Sequence, residues 1–365
     1  MKIGVIKERT TGEQRVAMTP EVARKLAGKG FVLLLEKGAG ESAHYHDDEY
    51  RDADVETVDR AAALAADIVL SVRKVDLDDV AAMRAGAVYV GHLELCEEEE
   101  VVPAMHAKGI LPVAVEKIPR ISRAQSMDAL SSQSNIAGYR AVIEAAVHYK
   151  RFVPMMMTSA GSSKPARVVV LGAGVAGLQA IATARRLGGD VHAYDVRPET
   201  REQIESLGAK AIVFDLGESG SGEGGYAREL SAEARARQQQ LLADELAKAH
   251  IIVTTALIPC RPAPVLIPED VVKRMREGSV IVDLAAANGG NCELTQKGEV
   301  VERHGVIVVG HTNYPSMMAT DASAFYANNL YNLLGIMVAE GEEGLVLKDF
   351  ADDEITQAAL VSANN

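Results

Sequence analysis

Four consecutive apolar residues, Val168, Val169, Val170 and Leu171, run straight into Gly172, Gly174 and Gly177. An alanine-rich stretch of helical spacing follows, and a second apolar segment at 191–194 closes on Asp195. Runs that are apolar at successive positions suit strands covered on both faces, as in a parallel sheet between helices. Such runs recur at 2–6, 31–35, 68–72, 87–90 and 110–115, and again at 211–214, 251–254, 280–283 and 306–309. Between them the pattern turns helical. Thr19-Pro20-Glu21 predicts a helix start, with Thr19 as cap, and that helix ends near Gly28 and Gly30. A long helix is predicted from about residue 135, with Ile136, Tyr139, Val142, Ile143, Ala146 and Val147 on its apolar face. Residues 316–338 begin polar and become helical, with Phe325, Leu330, Leu333, Leu334 and Met337 as the apolar set.

This alternation predicts an α/β protein of two Rossmann-like domains with parallel sheets, separated by a cleft and joined by two crossing helices. Residues 1–133 form the first domain, with the helix at 317–340 packing back on it, and 134–316 form the second. A polar tail follows at 341–365, of which 352–365 is expected to be loosely held.

The glycines specify what the second domain holds. Gly172 allows a tight turn, Gly174 lets a pyrophosphate approach the backbone, and Gly177 lets helix and strand pack closely. Val175 and Ala176 open the helix, whose free N–H groups and dipole favour phosphate. Asp195, 18 residues after Gly177, stands where a carboxylate accepts the hydroxyls of the adenosine ribose. It would repel a 2′-phosphate, so NAD(H) is the expected cofactor. Arg197, two residues on, is the feature that could instead receive that phosphate. The first domain has no such glycine loop.

Composition narrows the partners. The net charge of −13 argues against nucleic acid and anionic lipid surfaces. Two uncharged runs, 168–184 and 322–339, approach membrane-span length. Glycines break the first, and Asn328, Asn329 and Asn332 make the second too polar, so no direct membrane insertion and a cytoplasmic setting are expected. No metal site is predicted, because the acidic run at 97–100 reads as the start of a short helix. Five glycines within 217–225 suggest a mobile loop over the cofactor.

Two chemistries compete. Oxidation of an alcohol or amine needs a general base, and Arg15, Arg73, Lys74 and His92 could together supply an anion clamp, a base and an acid. Hydride exchange between two nicotinamides needs positioning groups and no base. Arg120, Gln125, Asp128 and Ser131, on one polar stretch, fit the second description. A non-catalytic NAD-sensing module is a third reading.

Residues 4–30, with Glu8, Glu13, Arg15-Val16-Ala17 and Thr19-Pro20, resemble the signature shared by alanine dehydrogenases and the NAD(H)-binding subunit of proton-translocating nicotinamide nucleotide transhydrogenase. The stretch Pro119-Arg120-Ile121-Ser122-Arg123-Ala124-Gln125-Ser126-Met127-Asp128-Ala129-Leu130-Ser131-Ser132 is similar to the transhydrogenase branch specifically. So are Gly224-Gly225-Tyr226-Ala227, Asp283-Leu284-Ala285-Ala286 through Gly289-Gly290-Asn291-Cys292, and Thr254-Thr255-Ala256-Leu257-Ile258-Pro259. The resemblance implies that Arg120, Gln125, Asp128 and Ser131 hold the nicotinamide and its ribose. It places Ser132, Gly172, Gly174, Val175, Ala176, Gly177, Asp195, Val196, Arg197, Gly225, Tyr226, Ala256 and Leu257 among the cofactor-binding residues, with Tyr226 on the mobile loop. It further implies a homodimer, bound peripherally at the cytoplasmic face of the inner membrane through a transmembrane subunit and an NADP(H)-binding domain. Hydride would pass from NADH to NADP⁺ on that partner, coupled to proton translocation. The alternative is an alanine dehydrogenase-like oxidoreductase using Arg15, Lys74 and His92. It ranks second because Ala287 stands where alanine dehydrogenases place a catalytic Asp.

Overall fold

The structure, a computed structural model, describes residues 1–96, 100–214 and 232–362. The chain divides into two compact units, Met1–Gln133 with Pro315–Asn365, and Ser134–Tyr314.

The first unit contains a six-stranded parallel sheet of β1 (Lys2–Val5), β2 (Val32–Glu36), β3 (Val55–Val58), β4 (Ile68–Leu70), β5 (Val88–Gly91) and β6 (Leu111–Ala114). Their order is β3-β2-β1-β4-β5-β6. Helices α1 (Pro20–Ala27), α2 (Asp47–Arg51), α3 (Arg60–Leu64), α4 (Leu77–Ala82) and α5 (Val101–Ala107) connect them. Helix α1 starts where its sequence dictates: the Thr19 hydroxyl accepts the Val22 N–H at 3.4 Å, Pro20 opens the first turn, and Val22, Ala23 and Leu26 are buried.

The second unit begins within α6 (Ala129–His148) and continues into an antiparallel hairpin, β7 (Met156–Thr158) and β8 (Gly161–Ser163). Its seven-stranded sheet consists of β9 (Arg167–Leu171), β10 (Asp190–Tyr194), β11 (Lys210–Ala211), β12 (Ile251–Thr254), β13 (Val280–Asp283), β14 (Val300–Arg303) and β15 (Val306–Val309), in the order β11-β10-β9-β12-β13-β15-β14. All pairs are parallel except β14 with β15. Helices α7 (Val175–Arg186), α8 (Thr200–Ser206), α9 (Ala232–Leu246) and α10 (Glu269–Arg274) complete the unit. Val169, Leu171, Ile252 and Ile281 are fully buried, as strands covered on both faces require.

The chain then re-enters the first unit through α11 (Ala319–Met337), the hairpin of β16 (Val338–Gly341) and β17 (Gly344–Leu347), and α12 (Glu354–Ala359). The expectation of a loosely held tail is therefore corrected. Phe350, Ile355 and Ala359 are buried, Leu360 bridges Val113 of β6, and the Val361 N–H donates to the Pro112 carbonyl at 2.9 Å. The predicted apolar face of α6 holds at Ile136 and Val142, both buried, and is corrected at Tyr139 and Val147. Val147 is 68% exposed and Tyr139 lies outward, while Gly138, Ala141, Val142 and Ala145 face inward. The small residues of this helix, rather than its large ones, make the closest approach.

Candidate functional site

Strand register brings three loop starts to one rim of the second sheet. Leu171 pairs with Tyr194 of β10 and with Thr254 of β12, so Gly172, Asp195 and Thr255 leave the sheet level with one another. Here the strand order reverses, with β10 on one side of β9 and β12 on the other. Open parallel sheets bind ligands at such a reversal.

Each glycine of the loop has its own constraint. Gly172 has φ +92°, and a Cβ there would meet the Thr255 hydroxyl at 2.5 Å. A Cβ on Gly177 would stand 1.8 Å from the Gly172 carbonyl oxygen, so only glycine lets α7 start against the loop. Gly174 differs: it caps α7, is exposed, and a Cβ there would meet nothing within 4 Å. That open space lies beside the first turn of α7, where Val175, Ala176 and Gly177 carry N–H groups without intrahelical partners. A pyrophosphate fits such a place by charge and by room. A further glycine, outside the motif, holds the same helix. A Cβ on Gly138 of α6 would stand 2.0 Å from the Ala176 carbonyl oxygen, and the neighbouring Asn135 donates to Gln179 at 3.1 Å. Nothing in the local pattern around Gly138 announces this contact.

Asp195 is tied to the glycine loop. Its Oδ2 accepts the Ala173 N–H at 2.7 Å, and its Oδ1 accepts the Arg197 N–H at 2.9 Å. The Arg197 guanidinium adds Nε to Oδ1 at 2.9 Å and Nη2 to Oδ2 at 3.0 Å. Burial pushes the carboxyl upward, but the bonds from Arg197 and Ala173 outweigh it and the net shift is downward. Asp195 is thus held ionised. Val196 between them is exposed.

Ala256 and Leu257 follow β12, the first half-buried and the second exposed. They are shaped by Asp283 and Asn291, both fully buried. Asp283 accepts the N–H groups of Ala285, Asn291 and Cys292 and the Thr295 hydroxyl. Asn291 in turn bonds Thr254, Ala256 and Pro264. In the sequence these anchors stand out only as part of a longer motif. An Asp ending an apolar strand, with an Asn after Gly289-Gly290, is the signal that singles them out.

The polar stretch of the first unit is also organised. Ser122–Met127 form a 3-10 turn whose Ser126 carbonyl accepts from Asn329 and Asn332 of α11, at 2.9 and 3.1 Å. Asp128 caps α6, its two oxygens accepting the Ser131 N–H at 2.8 Å and the Ser131 hydroxyl at 2.5 Å. The Ser132 hydroxyl donates to Asn329 Oδ1 at 2.7 Å. Asp128 and Ser131 therefore act as a pair, whereas Arg120 and Gln125 are exposed on the same stretch. Gly225 and Tyr226, with the glycine-rich segment 217–225, lie outside the described residues.

Arg15, Lys74 and His92 all lie in the first unit, and Arg15 and Arg73 are close enough to bear electrostatically on His92. Arg15 is 7% exposed, with Nε and Nη2 on Glu13 at 2.7 Å and Nη1 on Gln133 at 2.8 Å. Lys74 lines a cavity of about 630 Å³ with Glu8, Arg60, Arg73 and Asp79, and neither Arg15 nor His92 is among its lining residues. Burial pushes His92 downward from its ordinary value. Glu8 accepts the Val72 and Arg73 N–H groups at 2.6 and 3.1 Å, and burial pushes its carboxyl up to about 7.

Fold and site together define a nucleotide-binding α/β protein of the dehydrogenase type. Residues 4–137 match the alanine dehydrogenase/PNT N-terminal domain and residues 141–365 match the alanine dehydrogenase/PNT C-terminal domain. The chain belongs to the alanine dehydrogenase/PNT family. It is 50% identical over 371 aligned residues to an NAD(P) transhydrogenase subunit alpha protein of Rhodospirillum rubrum, covering 99% of this chain and 96% of that protein. The crystal structure of transhydrogenase from Sinorhizobium meliloti superposes with a TM-score of 0.84 at 44% identity, covering 92% of this chain and 94% of that one. Alanine dehydrogenase of Bacillus subtilis is 27% identical, over 100% of this chain and 92% of that protein. Within the family the sequence thus sides with the transhydrogenase branch.

Proposed function

We propose that this chain is the NAD(H)-binding component of a proton-translocating nicotinamide nucleotide transhydrogenase. The observation that carries the nucleotide assignment is Asp195. Its carboxylate is bonded to the Ala173 N–H of the glycine loop, next to the open space above Gly174. In this reading the first turn of α7 binds the pyrophosphate, Asp195 accepts the adenosine ribose hydroxyls, and the Ala256–Leu257 backbone lines the site. Arg120, Gln125, Asp128 and Ser131 orient the nicotinamide and its ribose, Asp128 fixing the Ser131 hydroxyl. The chemistry the cofactor supplies when bound is donation of a hydride to NADP⁺, held on a partner subunit. No substrate proton is released in that exchange, and the positioning set contains no dedicated general base, which fits it.

The partners are a transmembrane subunit, which carries the proton step, and an NADP(H)-binding domain. Among the described residues no helix is long and apolar enough to cross a membrane. In this reading the chain associates peripherally, through those partners, with the cytoplasmic face of the inner membrane. A homodimer is part of the same reading. Val147, Phe152, Met155 and Met157 are 68%, 57%, 63% and 75% exposed along the end of α6 and the following hairpin, an apolar surface of the kind that a subunit contact covers.

The test mixes the purified chain with a separately produced NADP(H)-binding domain, NADH and an NADP⁺ analogue, without membrane. Nicotinamide exchange that disappears in Gln125→Ala and Asp128→Asn supports the reading. NADH oxidation by this chain alone, dependent on pyruvate and ammonia, overturns it. The alternative amino-acid chemistry ranks second on Ala287; three of the five Arg15 N–H groups are engaged by Glu13 and Gln133, which orient the guanidinium.

A further inference from the structure

The carboxylate assigned to the ribose is already fully engaged. An ionised carboxylate offers about four acceptor positions in its plane, and Asp195 uses them all. Two are filled by backbone N–H groups, of Ala173 and Arg197, at 2.7 and 2.9 Å. The other two are filled by the Arg197 guanidinium, one bond to each oxygen, at 2.9 and 3.0 Å. A ribose cis-diol donating to this carboxylate needs one position on each oxygen, the pair that the guanidinium holds. The backbone bonds are fixed by the loop. The guanidinium is not: its side chain is 39% exposed, against 7% for Asp195.

Resting on the reading of Asp195 as the ribose ligand, we propose that Arg197 is a specificity- and affinity-determining residue that competes with the ribose for Asp195. Before nucleotide binds, it mimics the diol and keeps the buried carboxylate paired. On nucleotide binding it gives up its two bonds, so part of the gain from ribose recognition offsets the loss of an ion pair. NAD(H) is therefore held less tightly than the site could hold it, which favours exchange of NADH for NAD⁺ at each turnover. The displaced cation remains two residues from Asp195, where it softens the repulsion of a 2′-phosphate. Arg197 thus lowers affinity for NAD(H) and narrows discrimination against NADP(H).

The test is equilibrium titration of the full chain and of Arg197→Met with NADH, NADPH and 2′-deoxy-NADH, whose adenosine ribose lacks one hydroxyl. The expected result is NADH binding about five-fold tighter in Arg197→Met, with slower dissociation, and weaker binding of NADPH. The gain should shrink for the 2′-deoxy analogue and vanish when Asp195→Asn is added. Weaker NADH binding in Arg197→Met would overturn the proposal by making the guanidinium a ligand of the nucleotide. Equal gains for NADH and its 2′-deoxy analogue would overturn it as well. Unchanged NADH binding in Asp195→Asn alone marks a different failure, that of the ribose assignment itself. Thermal unfolding of each variant separates these outcomes from loss of fold.

Discussion

Asn291 grips Ala256 on both sides of its Cα: its side-chain oxygen accepts the Ala256 N–H at 3.1 Å and its amide donates to the Ala256 carbonyl at 2.8 Å. The same side chain accepts the Thr254 hydroxyl at 2.6 Å and donates to the Pro264 carbonyl at 2.8 Å. One buried amide thereby fixes the backbone that follows β12. Asn291→Leu keeps the volume and strands these partners. An unmatched buried polar group costs about 1–3 kcal/mol, and since only the Thr254 bond is fully buried while the other three partners are part-buried, the variant should lose about 2–4 kcal/mol of stability in urea unfolding. Its NADH affinity should fall at temperatures where it remains folded, measured by fluorescence titration.

Gly174 and Gly177 separate binding from folding. Gly174→Ala places its methyl in open space at a normal φ of −77°. Stability should fall by no more than about 1 kcal/mol, the difference between Gly and Ala as a helix cap, while NADH affinity falls about ten-fold or more, because the methyl takes the room a pyrophosphate needs. Gly177→Ala drives a Cβ to 1.8 Å from a backbone oxygen and should cost about 2–4 kcal/mol with or without nucleotide. Unfolding and NADH titration on the two variants check both halves.

Glu8 should make the chain less stable as pH rises. Its carboxyl is pushed from 4.5 up to about 7, so the folded state keeps a proton that the unfolded chain has released. Its contribution is complete below about pH 4.5 and is lost as pH rises through about 7. His92 has the opposite sign: burial pushes it down, and its contribution is lost on acidification. The single-site comparison isolates Glu8. Relative to the native chain, Glu8→Gln should gain about 1–3 kcal/mol between pH 4.5 and 8, read from urea unfolding at each pH.

The exposed apolar residues around the β7–β8 hairpin give the proposed homodimer a direct test. Phe152→Asp and Met157→Asp each put a charge on that surface, at positions 57% and 75% exposed in the single chain. Sedimentation should show a shift from dimer toward monomer, with secondary structure unchanged. A dimer that survives both substitutions at micromolar concentration would move the contact elsewhere.

The strands at the centre of the second sheet are legible in the sequence because burial on both faces leaves continuous apolar runs: β12, β13 and β15 begin and end where those runs do. The edges are not. β3 and β14 carry half-buried or exposed residues such as Glu56 and Glu302, and their pairing depends on neighbours distant in sequence. The inward face of α6 escapes a pattern of large apolar side chains because Gly138 and Ala141 make the approach. At the site, the position of Asp195 follows from spacing, since strand and helix lengths are nearly fixed in such a unit. The grip of Arg197 on it depends on a rotamer, and the roles of Asn291 and Asp283 depend on loop closure across several strands. Neither leaves a local pattern.

Strand β6 ends its sheet, and a free strand edge is a template for pairing with another chain. Leu360 and Val361 occupy part of that template from within, through the bridge to Val113 and the bond to Pro112, while His106 Nε2 lies 2.9 Å from the Val361 carbonyl oxygen. The terminal segment is in this sense a seal on an otherwise adhesive rim. Shortening the chain before residue 354 would uncover that rim and yield a protein prone to stick to itself.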